Sequence, residues 1–217
     1  SGIDKQFQGV EFGSEYQVLP TLKLKTAVSV GQFRYANNPD ISLSAASFSE
    51  PKEYGKAYLK DYYLAGGPQR AAMLGFEYRD PGYWWFGTTV NYFSHAFIDI
   101  HPLTRTGNFQ IDFDGLPLLE YDPEVAAKLL QQEQFDDYFL VNLVGGKSWR
   151  IKDKYLGFFM SINNLLDKEY KSGGFEQARN SNYRSLKQDR DRDNPVFGNK
   201  YWLGYGTSFF ANVSLRF

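Results

Sequence analysis

His95 and His101 are the side chains in this sequence that could hold a metal ion, since they flank Asp99 in one segment. Imidazole and carboxylate groups are common zinc ligands, but a metal site needs a third donor that converges with them. We therefore interpret both histidines as ordinary loop residues. The chain has no cysteine, which excludes disulfide frameworks, thiol catalysis and thiolate metal sites. The sequence predicts no catalytic residue, no metal site and no cofactor.

A second candidate is the run Asp-Arg-Asp-Arg-Asp at residues 189–193, which could hold a cation or grip a sugar. Alternating charges neutralise one another, so we expect a solvated loop here. The whole chain is also balanced, with 24 Lys and Arg against 25 Asp and Glu, and therefore does not indicate a nucleic-acid partner.

Aromatic residues make up 18% of the chain, more than a soluble core of this size requires. Tyr and Trp favour positions with one apolar and one wet neighbour, as at a membrane interface. In the loops these rings could instead stack on a sugar substrate or pack the loops on one another, and both readings stay open. The loop aromatics concerned are Tyr121, Tyr183, Tyr201, Trp202 and Tyr205.

These side chains must be positioned mainly by β-strands, because apolar and polar residues alternate along seven segments. We predict strands at about 9–18, 22–35, 72–79, 84–92, 138–149, 155–166 and 209–217. A weaker alternation predicts one more strand at 56–64, inside a loop. Asp122, Pro123 and Glu124 form the start signal of a short helix, which we expect to end near Gln134.

Each predicted strand pairs an apolar or aromatic face with a face of charged residues, glycines and small polar residues, which is the pattern of a transmembrane β-barrel. We expect the polar face to line a wet lumen or to contact a plug domain inside it, although charges that merely keep an inner face soluble explain it equally well. The predicted lumen-facing residues are Glu11, Glu15, Lys23, Lys25, Glu77 and Asn91. The predicted aromatic girdle at the lipid interface is Trp84, Trp85, Tyr92, Tyr138, Trp149 and Tyr155.

The connections alternate strictly in length. Short turns are expected at 19–21, 80–82 and 151–154, and long loops at 36–68, 94–136 and 167–206. All long loops then fall on one side of the sheet, as the extracellular loops of bacterial outer-membrane barrels do. The sequence contains no apolar run of about 18 residues that could form a membrane helix. The predicted fold class is thus an all-β, antiparallel transmembrane barrel segment, and an odd strand number with two unpaired edges indicates that it is a fragment.

The end of the chain carries a specific resemblance. The alternating strand 156–162 runs into Asn163-Asn164-Leu165-Leu166-Asp167-Lys168-Glu169-Tyr170, and a polar loop then leads to the ending FGNKYWLGYGTSFFANVSLRF. This arrangement resembles the C-terminus of a TonB-dependent outer-membrane receptor, and most of all the large receptors of the Bacteroidetes type.

The resemblance implies that residues 1–217 are the last third of a plugged barrel of about 22 strands, with the plug domain outside this chain. It further implies active import, without enzyme activity, of an oligosaccharide, a peptide or a metal chelate across the outer membrane of a Gram-negative bacterium. The implied partners are the remaining barrel and plug, TonB acting through the plug, the outer-membrane assembly machinery, membrane lipid and a surface lipoprotein. The long loops would be extracellular and the C-terminus periplasmic.

In receptors of this kind the last strand is the signal that the assembly machinery reads, which here would be Phe209, Val213, Leu215 and Phe217. Two other functions are compatible with the same sequence. The first is an outer-membrane barrel that serves as a scaffold or assembly component without transport. The second is a soluble all-β binding module, which would expose a large apolar face to water and aggregate.

Overall fold

The computed structural model describes residues 2–44, 46, 49–178 and 181–217. In chain order its regular elements are β1 (Lys5–Leu19), β2 (Leu22–Tyr35), β3 (Asp40–Leu43), β4 (Lys52–Lys56), β5 (Arg70–Arg79), β6 (Trp84–Ser94), two 3-10 turns (Pro102–Arg105 and Gly107–Gln110), α1 (Pro123–Leu129), β7 (Tyr138–Ile151), β8 (Lys154–Asn163), β9 (Lys171–Phe175), α2 (Tyr183–Arg190), β10 (Lys200–Leu203) and β11 (Ser208–Arg216). None of the described helices is long and apolar enough to cross a membrane.

Seven of these strands form one antiparallel sheet in the order β1-β2-β5-β6-β7-β8-β11. Each strand pairs with the next one along the chain once the small hairpins are left aside, so the sheet is a simple meander. The predicted all-β antiparallel fold and its seven sheet strands are confirmed. The first strand begins earlier than expected, at Lys5, because Lys5 and Phe7 continue the pairing with Tyr35 and Phe33.

The register of the sheet separates its two faces cleanly, since paired residues on antiparallel strands point to the same side. One row crosses all seven strands and consists mostly of apolar residues: Tyr16, Leu24, Phe76, Thr88, Leu143, Ile162 and Phe209. The neighbouring row on the opposite face is polar or small over most of its length: Gln17, Lys23, Glu77, Gly87, Val144, Ser161 and Phe210. The alternation in the sequence therefore becomes a sheet with one apolar and one predominantly polar face.

The connections lie as their lengths predicted. Three tight turns, at 20–21, 80–83 and 152–153, close one end of the sheet. Tyr83 and Lys152 take positive φ values of 62° and 59° in the second and third of these turns, which allows the chain to reverse within a few residues.

The long connections, 36–69, 95–137 and 164–207, gather at the other end and fold on one another. We call their described residues the cap. The cap contains a β3–β4 hairpin, a β9–β10 hairpin, the 3-10 turns and both α-helices. Two sequence predictions are corrected here. The expected strand at 56–64 is absent, since the hairpin strand is β4 and ends at Lys56, and α1 ends at Leu129 rather than near Gln134.

The cap holds nearly all of the apolar core. Every buried hydrophobic side chain in the described residues lies in a long connection, except Tyr138 at the start of β7. One cluster joins α1 to α2 through Phe109, Leu118, Ala126 and Tyr183. Apolar burial stabilises the cap, because each fully buried side chain of this kind contributes about 2 kcal/mol. The cap is thus a folded unit at one end of the sheet.

A buried ion pair ties two connections of the cap together. The Arg105 side chain is 2% exposed and binds the Glu176 carboxylate with both terminal nitrogens, one of them at 2.7 Å. The same guanidinium donates to the Leu130 carbonyl at 2.9 Å and lies over the Tyr62 ring. Because an unpaired buried charge is strongly destabilising, each of these segments depends on the others.

Asn164 fastens both ends of the third connection to the sheet. Its side chain is buried and donates to the carbonyls of Lys168 and Tyr205 at 2.9 and 3.1 Å, and its backbone carbonyl accepts from the Thr207 hydroxyl. Asp167 adds a hydrogen bond from the Thr207 N–H at 2.8 Å. The Asn-Leu-Leu-Asp segment noted in the sequence therefore fixes where β11 begins.

We predict that Asn164→Ala lowers the free energy of unfolding by about 3 kcal/mol, because it removes three hydrogen bonds of a buried side chain, to the Lys168 and Tyr205 carbonyls and from the Lys168 N–H. Urea unfolding, followed by circular dichroism, measures the change. The control is Asn163→Ala, since Asn163 is exposed and its side chain makes no hydrogen bond within the described residues. Equal losses in the two variants would contradict the prediction.

Candidate functional site

The cap contains a pocket of about 690 Å³ between the C-terminal ends of α1 and α2. Residues 128–134 form one wall, and Leu186, Asp189 and Arg190 form another. Segment 195–199 closes a third side, and Phe97, Glu176 and Ala178 complete the lining. A volume in this range suits a small organic ligand, because most such sites occupy about 300–1,000 Å³.

Glu133 is the polar centre of one side of this pocket. One carboxylate oxygen accepts from Lys171 at 2.7 Å, and the other accepts from the Asn199 amide at 2.8 Å and the Tyr201 hydroxyl at 2.7 Å. Burial alone would raise the pKa of Glu133, but these three donors outweigh it and hold the pKa below its ordinary value. The carboxylate is therefore charged and fully occupied, and it joins the pocket wall to the β9–β10 hairpin.

The interpretation of the charge run 189–193 as a solvated loop is wrong for Asp189. Its side chain is 2% exposed at the end of α2 and accepts from the backbone N–H groups of Val196 and Phe197 at 2.9 and 2.8 Å. Burial would raise its pKa, yet these hydrogen bonds and the nearby Arg192 leave the pKa lowered. Asp189 shapes the pocket by holding segment 195–199 against α2, while Arg190 to Asp193 are exposed.

The loop aromatics named from the sequence separate into two groups. Tyr183 is wrong as a substrate-contacting residue, because it is 0% exposed and packs in the cap core with Phe109 and Tyr121. Tyr201, Trp202 and Tyr205 are exposed, Tyr205 to 90%. Tyr201 lies beside the pocket through its bond to Glu133. Tyr183 therefore packs the loops on one another. Substrate contact stays a prediction for Tyr201, Trp202 and Tyr205.

The residues predicted to face a lumen share the polar face of the sheet. Lys23 binds Glu15 at 3.0 Å, and Lys25 binds Glu77 at 2.8 Å. Glu11 accepts from the Ser29 hydroxyl, while Asn91 donates to Thr89 and to the Leu140 carbonyl. The structure thus brings all six residues onto one face, and what that face meets stays a prediction.

The register corrects the predicted aromatic girdle. Trp84, Tyr92 and Trp149 lie on the apolar face, whereas Trp85, Tyr138 and Tyr155 point to the polar face. Trp85, for example, pairs with Arg79 and Gly146 and contacts Phe159. The six residues cannot form one belt, since a belt in lipid needs a single face. Because Trp84 and Trp85 are adjacent in a strand, alternation already predicts that they point to opposite faces. The girdle was predicted from the position of each residue along its strand, which does not show the face to which it points.

The four predicted assembly-signal residues lie at one free edge of the sheet. Phe209, Val213 and Leu215 are on β11, share its apolar face and are exposed, and Phe217 follows the strand with Lys154 over its ring at 4.3 Å. β11 pairs with β8 on one side only, so its other backbone edge is open among the described residues. An open edge can add another strand by backbone hydrogen bonding.

His95 and His101 have separate local surroundings. His95 takes a positive φ of 58° and lies near the Ser94 hydroxyl, whereas the His101 backbone N–H donates to Glu176 at 2.9 Å. Asp99 lies between them, and its pKa is raised, first by desolvation of its carboxylate and then by the charge of Glu176.

Sequence reasoning missed the pocket altogether. Its polar residues, such as Lys128, Glu133, Glu176 and Arg190, come from segments that are far apart in the chain and follow no common motif. Besides the recognised start of α1, the local signals were the Asn182-x-x-Ser185 capping pattern before α2 and the Gly-rich strand β9. These signals could have found the elements but not the contact between them.

No protein-family model and no curated protein sequence matches the chain. Among solved structures, the chain is similar to the siderophore receptor PiuA from Acinetobacter baumannii, with a TM-score of 0.55 and 12% identity over 99% of this chain and 22% of that one. It is also similar to the copper transporter OprC, with a TM-score of 0.50 and 15% identity over 97% of this chain and 24% of that one. The chain therefore has the fold of a part of these proteins and spans less than a quarter of the length of each.

The lowered pKa of Glu133 predicts a pH-dependent contribution to stability. Because its pKa is lower in the folded protein than the ordinary 4.5, the contribution is complete above that value and is lost as the pH falls through the lowered pKa. We expect Glu133→Gln to reduce the free energy of unfolding by about 1 kcal/mol at neutral pH, and the difference to shrink as the pH falls below 4.5. Urea unfolding over a series of pH values from neutral into acid tests this, with exposed Glu53→Gln as the control; a difference that stays constant into acid would contradict it.

Proposed function

We propose that this chain is part of the barrel of a TonB-dependent outer-membrane receptor that imports a nutrient. The observation that carries the proposal is the two-faced, seven-stranded antiparallel meander with every long connection folded at one end. The likeness to a siderophore receptor and a copper transporter supports it. Such a protein is a transporter and not an enzyme.

The apolar face is the surface that would contact lipid. Val28, Val90 and Phe158 are exposed on it in the middle of their strands, and water would not tolerate so large a continuous apolar surface. Trp84, Tyr92 and Trp149 are the aromatic residues of this face that would sit at the lipid interfaces. The polar face, with its Glu77–Lys25 and Glu15–Lys23 pairs, would line the lumen or meet a plug.

The two open edges support the partners proposed for the chain. In lipid every backbone N–H and C=O must be paired, so β1 and β11 would bind further strands of a larger barrel. We place that barrel at about 22 strands, with a plug through which TonB acts. Phe209, Val213, Leu215 and Phe217 would be read by the assembly machinery before β11 is paired.

We infer that the cap is extracellular and that the tight turns and the C-terminus are periplasmic, because bacterial barrels have long outer loops and short inner turns. The exposed aromatics Trp202 and Tyr205 would then be available to substrate or to a surface lipoprotein. The substrate classes considered are an oligosaccharide, a peptide and a metal chelate, and the Bacteroidetes-like ending favours the first two.

A pair of neighbouring substitutions tests the orientation of the faces. We predict that Val28→Arg on the apolar face destabilises the barrel by about 2–4 kcal/mol, as a charge at the bilayer midplane does. Ala27→Arg is the matched control, since Ala27 points to the polar face opposite Gly13 and Met73. The measurement is the amount of folded, detergent-extractable protein in the outer-membrane fraction. A greater loss with Ala27→Arg than with Val28→Arg would refute the assignment.

Import is tested by growth. We predict that a strain lacking the full polypeptide and a strain lacking TonB fail on the same carbon or iron source, because the receptor needs energy that TonB delivers. A plasmid copy of the receptor should restore growth only in the first strain. If the protein is in the outer membrane and its loss leaves growth unchanged on every source that requires TonB, the scaffold function replaces transport.

A further inference from the structure

The acids in the pocket wall are each neutralised by a cation that lies outside the lining. Glu133 pairs with Lys171 at 2.7 Å, and Glu176 pairs with Arg105. Asp189 has Arg192 at 3.5 Å in addition to its two backbone donors. A ligand in the pocket therefore meets carboxylates whose charges and hydrogen-bonding positions are already occupied.

Two cations in the pocket lining have no such partner. Lys128 and Arg190 line the pocket, and neither forms an ion pair with any described residue. Arg190 donates to the Lys128 backbone carbonyl at 3.3 Å, which brings the two residues together where α1 and α2 end. The pocket thus has an excess of positive charge at one corner, although its total count of acids exceeds that of bases.

The rest of the lining is apolar or neutral. Leu129, Leu130, Leu186, Pro195 and Phe197 supply apolar surface. The amides of Gln131 and Gln134 make no side-chain hydrogen bond within the described residues. Such a lining fits a ligand with a partly apolar body and oxygen acceptors, because pockets usually combine apolar walls with a few polar groups that fix orientation.

We propose that this pocket binds an organic ligand bearing a carboxylate, which Arg190 and Lys128 hold while the apolar wall covers the ligand body. The planar guanidinium can donate two parallel hydrogen bonds to a carboxylate, and the ammonium adds a third charge-assisted bond. This inference deepens the proposed function by naming a ligand chemistry, and only the step from binding to import rests on that function. A carboxylated sugar and a carboxylate metal chelate share this chemistry.

Lys128 and Arg190 also lie at helix C-termini, where a cation stabilises the helix dipole. That role alone would affect stability and leave ligand binding unchanged. A binding measurement combined with an unfolding measurement on the same variants therefore separates the two roles.

The test uses the full polypeptide purified in detergent and isothermal titration calorimetry at low salt. Trigalacturonate and ferric citrate are the carboxylated probes for the two sources, and maltotriose is the neutral comparison. We expect at least one carboxylated probe to bind, and Lys128→Gln and Arg190→Gln each to raise its Kd by about tenfold. High salt should weaken binding as well, since both cations are exposed.

Lys187→Gln is the matched control, because Lys187 is an exposed cation on the same helix α2, lies over the Tyr183 ring and does not line the pocket. The Kd of the Lys187→Gln variant for the carboxylated probe should equal that of the unsubstituted protein. The proposal is wrong if neither carboxylated probe binds more tightly than maltotriose, or if all three variants bind equally while only their unfolding changes. Binding is measured on purified protein in detergent, so its outcome does not depend on import or on membrane localisation. A failure of the proposed function can therefore be distinguished from a failure of this inference.

Discussion

Backbone hydrogen bonding along the edges of the sheet is the constraint on which the rest of this structure depends. The inner strands satisfy their N–H and C=O groups on both sides, but β1 and β11 each have one neighbour among the described residues. The unpaired edge of β1 is 15 residues long. In water such edges invite pairing with other chains, and in lipid they are not tolerated. The larger barrel proposed above would pair both of these edges.

The cap is stabilised by different interactions from those of the sheet. The sheet exposes both of its faces, so apolar burial cannot organise it from within, whereas the cap has its own clusters and the buried Arg105–Glu176 pair. The pair binds the second connection to the third, and Asn164 binds the third to the strand ends. As a result, the pocket walls come from three distant segments and are held in place by contacts that are themselves buried.

The two parts differ in how well they could be predicted. Strand alternation is a local signal with a period of two residues, and it identified the sheet strands and the six residues of the polar face. The β9–β10 hairpin and α2 were missed, because a short strand or helix is stabilised by its tertiary contacts more than by its own sequence. Tyr183 and Asp189 were misjudged for the same reason, since polar residues in a loop-like segment are usually exposed and here the cap buries both.

The sequence by itself determined the strands of the sheet, the division between its apolar and polar faces and the end at which the long connections gather. Each of these follows from the order of neighbouring residues along the chain. Only the tertiary structure decided that the long connections form a cap, that Glu133 and Asp189 are occupied by internal donors, and that Lys128 and Arg190 remain unpaired beside a pocket. Those outcomes depend on which distant segments meet, and no local pattern of residues encodes that.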